Sequence, residues 1–74
     1  MEKEYNPIGL SAREIEICEL ISQGFLSKQI AQKLKIANAT VDRHRYNIST
    51  KLKAKNIVDV INYTRNHLIK DSNG

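Results

Sequence analysis

The chain has 74 residues, one cysteine, two histidines and a formal charge of +4, a size that gives one small domain with a single core and leaves no room for a catalytic cleft beside its scaffold. Cys18 cannot form an internal disulfide, and with His44 and His67 it makes too few ligands for a zinc site of the usual Cys/His type. No apolar run approaches the roughly 20 residues of a membrane span and "MEKEYNP" holds no signal-peptide apolar region, so the expectation is a cytoplasmic protein with no membrane partner, no cofactor and no small-molecule ligand.

The charge is polarised along the chain. Residues 1 to 23 sum to −3 and residues 56 to 74 to zero, whereas residues 24 to 55 carry eight lysines and arginines against Asp42 alone, a local +7. A basic block of this kind in a small domain is the electrostatic footprint of phosphate binding.

In chain order, Ser11-Ala12-Arg13-Glu14 is a capping box, with Leu10 and Ile15 placed as a hydrophobic staple, and it predicts a helix starting at Ser11. Ile15, Ile17, Cys18, Leu20 and Ile21 follow a helical period, which makes Cys18 a core residue, and Gly24 is suited to end the helix in a left-handed conformation. A second helix is expected from Ser27 to Leu34, burying Ile30, Ala31 and Leu34.

The third helix is expected from Ala37 or Asn38 to Leu52. At ~100° per residue Val41, Ile48 and Leu52 fall on one stripe, and the opposite arc holds Arg43, Tyr46 and Thr50 with Asp42 and Asn47 at its sides. His44 and Arg45 lie on the shoulders. Asn56 with Asp59 three residues on predicts a fourth helix lasting to about Ile69. Its stripe of Ile57, Val60, Ile61, Thr64 and Leu68 is widened by Val58 and Ile69 beyond the ~100° that one core needs, which is either ordinary scatter of exposed apolar residues or a face for self-association.

Two short helices joined by a tight turn, the second with a varied polar face inside a basic block, fit an all-α domain with a central helix-turn-helix whose second helix enters the major groove. Ala31 is small where the helices approach, Ile36 plugs the turn and Val41 packs the recognition helix. The segments "LSAREIEI", "KQIAQKL.I", "TV..H" and "NI..KL", in this order and without gaps over about residues 8 to 68, resemble the LuxR/GerE-type DNA-binding domain of bacterial transcription regulators. The resemblance implies a four-helix fold, helices 2 and 3 as the helix-turn-helix, and helix 4 as a dimerisation element. It also implies either a stand-alone regulator or the output domain of a longer protein. The expected organisation is a flexible segment over residues 1–7, the domain over 8–69 and a disordered tail over 70–74.

The chain departs from the family pattern at informative places. Leu26 stands where the family has a capping Ser, so Ser27 is expected to cap helix 2; Ala37 replaces a capping Ser, a loss of about 1 kcal/mol; Lys53 replaces a Gly. Asp42 replaces a Lys near the DNA, exchanging a donor for an acceptor that only cytosine N4 and adenine N6 can satisfy. It either reads such a base or pairs with Arg45 or Tyr46 one turn along the helix. The expected base readers are Asp42, Arg43, Tyr46 and Asn47; the phosphate contacts are Ser27, Lys28, Thr40, Arg45 and Lys51; the dimer face is Val58, Ile61 and Arg65. A dimer touching roughly six to eight phosphates would show a log-log salt slope of about −5 to −7. The expected partners are double-stranded DNA and a second copy of the chain, with no enzymatic activity. The competing readings are a protein-docking module for RNA polymerase or an anti-activator, and the promoter-reading region of a sigma factor.

Overall fold

The computed structural model describes residues 9–68, so the expectations for the two ends of the chain, Ile69 included, lie outside it. Four α-helices follow in order, α1 (Ala12–Ser22), α2 (Ser27–Leu34), α3 (Asn38–Leu52) and α4 (Ile57–Tyr63), and α4 continues as a π-helical turn over Thr64–Leu68. The described residues contain no strand.

Local chemistry sets the helix ends. Ser11 Oγ accepts from the Glu14 N–H at 3.1 Å while Glu14 Oε1 accepts from the Ser11 N–H at 2.9 Å, so the capping box is complete. At the other end of α1, Gly24 has φ +98°, its N–H donates to the Ile21 carbonyl and the Phe25 N–H donates to that of Leu20, a Schellman closure. Two later helix ends close in the same way around lysines: Lys35 (φ 60°) after α2 and Lys53 (φ 58°) after α3, with Ile36 N–H donating to Ala31 O and Ala54 N–H to Ser49 O.

Helix α2 has the expected bounds but not the expected cap. Leu26, not Ser27, is its N-cap, and since leucine has no acceptor only the return half of a capping box survives, the Leu26 N–H donating to Gln29 Oε1 at 2.8 Å. Ala37 caps α3 with backbone alone. Asn56 caps α4 as expected, its Oδ1 accepting from the Asp59 N–H at 3.1 Å.

The core is made by Leu10, Ile17, Cys18, Leu20 and Ile21 before and along α1, Ile30 and Ala31 from α2, Val41 and Ile48 from α3, and Val60 from α4. Helix α3 packs on both α1 and α2, and α4 lies against α1 and α3. The α4 stripe is narrower at its start than its sequence pattern, because Ile57 is 38% exposed; Val60, Thr64 and the half-buried Ile61 and Tyr63 face the core. The α-to-π change has a local cause. Thr64 is fully buried and its Oγ1 donates to the Val60 carbonyl at 2.8 Å, the kind of back-bond that disturbs a helix at the carbonyl it occupies.

Candidate nucleic-acid interface

Helix α3 buries Val41 and Ile48 and turns its opposite face to solvent. Thr40, Asp42, Arg43, Tyr46 and Thr50 are exposed there, Tyr46 at 71%, while Asn47 is half-buried at the margin. The side chains of Asp42 and Arg43 make no hydrogen bond or ion pair with any described residue. The alternative in which Asp42 pairs with Arg45 or Tyr46 is therefore not what the helix adopts. Arg45 is drawn elsewhere: its Nη1 donates to Ser27 Oγ at 3.0 Å, tying α3 to the first turn of α2. Ser27 thus receives Arg45 instead of capping its own helix, and Lys28 beside it is exposed.

The other edge of α3 is held differently. Lys51 Nζ donates to Glu14 Oε1 at 2.7 Å and to the Gly9 carbonyl at 3.4 Å. Glu14 is 5% exposed. Burial raises its pKa, but the Lys51 hydrogen bond, the Ser11 N–H and the charges of Lys51 and His44 outweigh it and hold the carboxyl below its ordinary value. His44 is half-buried on the same side, with no partner for Nδ1 among the described residues.

Of the twelve residues singled out by sequence, Ser27, Lys28, Thr40, Asp42, Arg43, Arg45, Tyr46 and Asn47 gather on the surface formed by α3 and the start of α2. Lys51 borders that surface with its ammonium engaged by the scaffold. Val58 (55% exposed) and Ile61 lie on α4, and Arg65 is exposed but falls inside the π turn, so the 3.6-residue spacing that grouped it with them does not carry through. Sequence reasoning missed the two side-chain ties, Arg45 to Ser27 and Lys51 to Glu14. Their partners are 18 and 37 residues apart, and Glu14 was already accounted for by its cap.

Cys18 is fully buried and its thiol pKa is pushed up to about 11, by desolvation first and by the charges of Glu14 and Glu19, against a hydrogen bond with Thr64. It is a core residue. No group of three or more metal-ligating side chains occurs among the described residues, and none of their helices is long and apolar enough to cross a membrane.

A tight helix-turn-helix with a polar, basic second helix, braced by a helix on each side, defines the class of helix-turn-helix DNA-binding domains. The chain belongs to the luxR family of bacterial regulatory proteins, whose family model matches residues 9–64, and it is a LuxR-type DNA-binding domain of a transcription regulator. It is 43% identical over 63 residues to the response regulator protein TmoT of Ectopseudomonas mendocina, covering 85% of this chain and 28% of that protein. It is 43% identical over 54 residues to the oxygen regulatory protein NreC of Staphylococcus aureus (strain JH9), covering 73% of this chain and 25% of that one. Among solved structures it matches the response regulator ChrA of a heme-sensing two-component system with TM-score 0.74 and 41% identity, over 86% of this chain and 31% of ChrA. The chain thus spans less than a third of the length of these relatives.

Proposed function

We propose that this domain binds duplex DNA sequence-specifically, with α3 in the major groove, as the non-enzymatic output element of a bacterial transcription regulator. The observation that carries the reading is the solvent-facing arc of α3, where the side chains of Asp42 and Arg43 have no polar partner among the described residues and stand beside an exposed Tyr46. Unpaired donors and acceptors on a protruding helix are what base-edge readout requires. Arg43 suits guanine O6 and N7, Asp42 an amino group of cytosine or adenine, and Tyr46 and Asn47 the neighbouring bases. Lys28, Thr40, Arg45 and the free hydroxyl hydrogen of Ser27 serve phosphates. Two copies would bind paired half-sites through Val58, Ile61 and Arg65 of the α4 region.

With Lys51 held by Glu14, Lys28 and Arg45 are the cations expected to neutralise phosphates in each subunit. A two-fold complex then has a log-log salt slope of roughly −4. Titration of a random duplex at several salt concentrations tests this, and a slope shallower than about −2 removes the DNA reading. Selection from a random pool would then give the half-site.

A second reading has one observation in its favour. Phe25, Leu26, Ile57 and Ile61 line an open depression of about 290 Å³ that Arg45 also borders, and Leu26 is 67% exposed. Such a surface suits docking to a protein of the transcription machinery such as RNA polymerase. A shallow salt slope with retained polymerase binding would favour it.

A further inference from the structure

Two cations stand at the edges of the recognition helix, and the scaffold holds them by different chemistry. On a wheel of ~100° per residue Arg45 and Lys51 lie about 120° apart across the buried stripe of Val41 and Ile48, so each marks one limit of the exposed arc. Arg45 is anchored by a hydroxyl, Ser27 Oγ at 3.0 Å. A neutral acceptor fixes the guanidinium and leaves its charge whole. Lys51 is anchored by a carboxylate, Glu14 Oε1 at 2.7 Å, with the Gly9 carbonyl as a second acceptor. That carboxylate is 5% exposed and is itself fixed by the Ser11 N–H at 2.9 Å, so water screens it little and it cannot swing away with the lysine.

From this contrast we infer that Glu14 withholds Lys51 from DNA, so that the ionic contacts of the recognition helix are one-sided, with a phosphate-binding cation on the Arg45 edge and none on the Lys51 edge. The inference rests on the DNA-binding reading. Without Glu14, Lys51 has the position to act: on the same wheel it lies within about 40° of Asn47 and one turn further along the helix, and Asn47 is assigned to DNA on that side. Lys51 keeps a third N–H and a 37% exposed side chain, but paired with a buried carboxylate it has no net charge with which to release a counterion from a phosphate. Its contribution to the salt dependence is therefore absent from the wild-type complex.

Glu14→Gln isolates the charge, because glutamine at this helix position still completes a capping box. The measurement is the log-log salt slope for one random duplex with wild type, Glu14→Gln, Lys51→Gln and the double variant, each first checked for its helical signal. Glu14→Gln should steepen the slope by ~0.9 per bound subunit, so that going from 50 to 200 mM salt weakens binding about 3.5-fold more for each subunit than in wild type. The double variant should return to the wild-type slope, and Lys51→Gln should match it. A Glu14→Gln slope equal to wild type, or a Lys51→Gln slope shallower than wild type, overturns the inference while a steep wild-type slope keeps the DNA reading. If Lys51→Gln leaves Glu14 unpaired and fails to fold, the comparison of Glu14→Gln with the double variant decides. A wild-type slope shallower than −2 instead overturns the reading on which the inference stands.

Discussion

Replacing Asp42 by alanine removes an exposed carboxylate that forms no hydrogen bond or ion pair with any described residue, so its effect on folding can be separated from its effect on DNA. Asp42 is the fifth residue of α3, past the first turn where a negative charge is favoured by the helix dipole. Alanine is the better helix former by at most ~0.7 kcal/mol. The change in stability should therefore stay within about 0.5 kcal/mol or be slightly favourable. On DNA the outcome divides. Affinity for random duplex should hold or rise, because a negative charge near phosphates is gone. Affinity for the selected operator should fall relative to random by the ~1 to 3 kcal/mol of one base-reading contact, about 5- to 160-fold. Arg43→Ala should weaken operator binding more, and Asp42→Lys should raise affinity for all duplexes while moving the preference at that position toward guanine. Fluorescence anisotropy with both duplexes at one fixed salt concentration measures each ratio. If Asp42→Ala weakens both by the same factor, the carboxylate does not discriminate and the readout argument fails.

Ala37→Ser should raise stability by about 1 kcal/mol, since the cap residue already has extended geometry (φ −73°, ψ 151°) and only the acceptor is missing. For a domain of this size that is a rise of about 4–8 °C in Tm, and an unchanged melting curve would show that the first-turn N–H groups of α3 are already satisfied. Val58→Glu places a charge on the exposed side of α4 and should abolish cooperative binding to paired half-sites with the monomer still folded; intact cooperativity in a folded variant would remove α4 from the interface. Glu14 gives a pH dependence of defined sign. Its folded pKa lies below the ordinary value of 4.5, so its contribution to stability is complete above that value and is lost as pH falls through the folded pKa. Denaturant midpoints from pH 7 to pH 3 should fall less in Glu14→Gln than in wild type, and parallel declines would contradict the assignment.

What the sequence made legible was local. The box at Ser11 and Glu14, the turn at Gly24, the cap at Asn56 and the bounds of α3 each depend on residues within four positions of one another, and each appears in the fold. The bounds of α2 are also legible, Ser27–Leu34 in sequence and in structure, but its cap is not: Leu26 offers no polar side chain to mark it, and Gln29 reaches back to the Leu26 N–H in place of a cap at Ser27. The end of α4 was hidden because Thr64 reads as one more residue of an amphipathic stripe, and only its burial reveals that its hydroxyl must find the Val60 carbonyl. The polar face of α3 was visible from periodicity. Which of its flanking cations remain available was not, since that depends on partners brought together by the fold.

Lysine occupies the left-handed position on both sides of the recognition helix, Lys35 before it and Lys53 after it. A side chain there costs roughly 1–2 kcal/mol per residue, a strain that glycine would not carry. Both sites lie in the basic block, and both lysines are exposed. The chain therefore holds a reserve of thermal stability that two glycine substitutions would release, and releasing it would strip one positive charge from each end of the helix proposed to meet DNA. Glycine at these two positions would raise the melting temperature while leaving the proposed phosphate contacts, Lys28 and Arg45, in place.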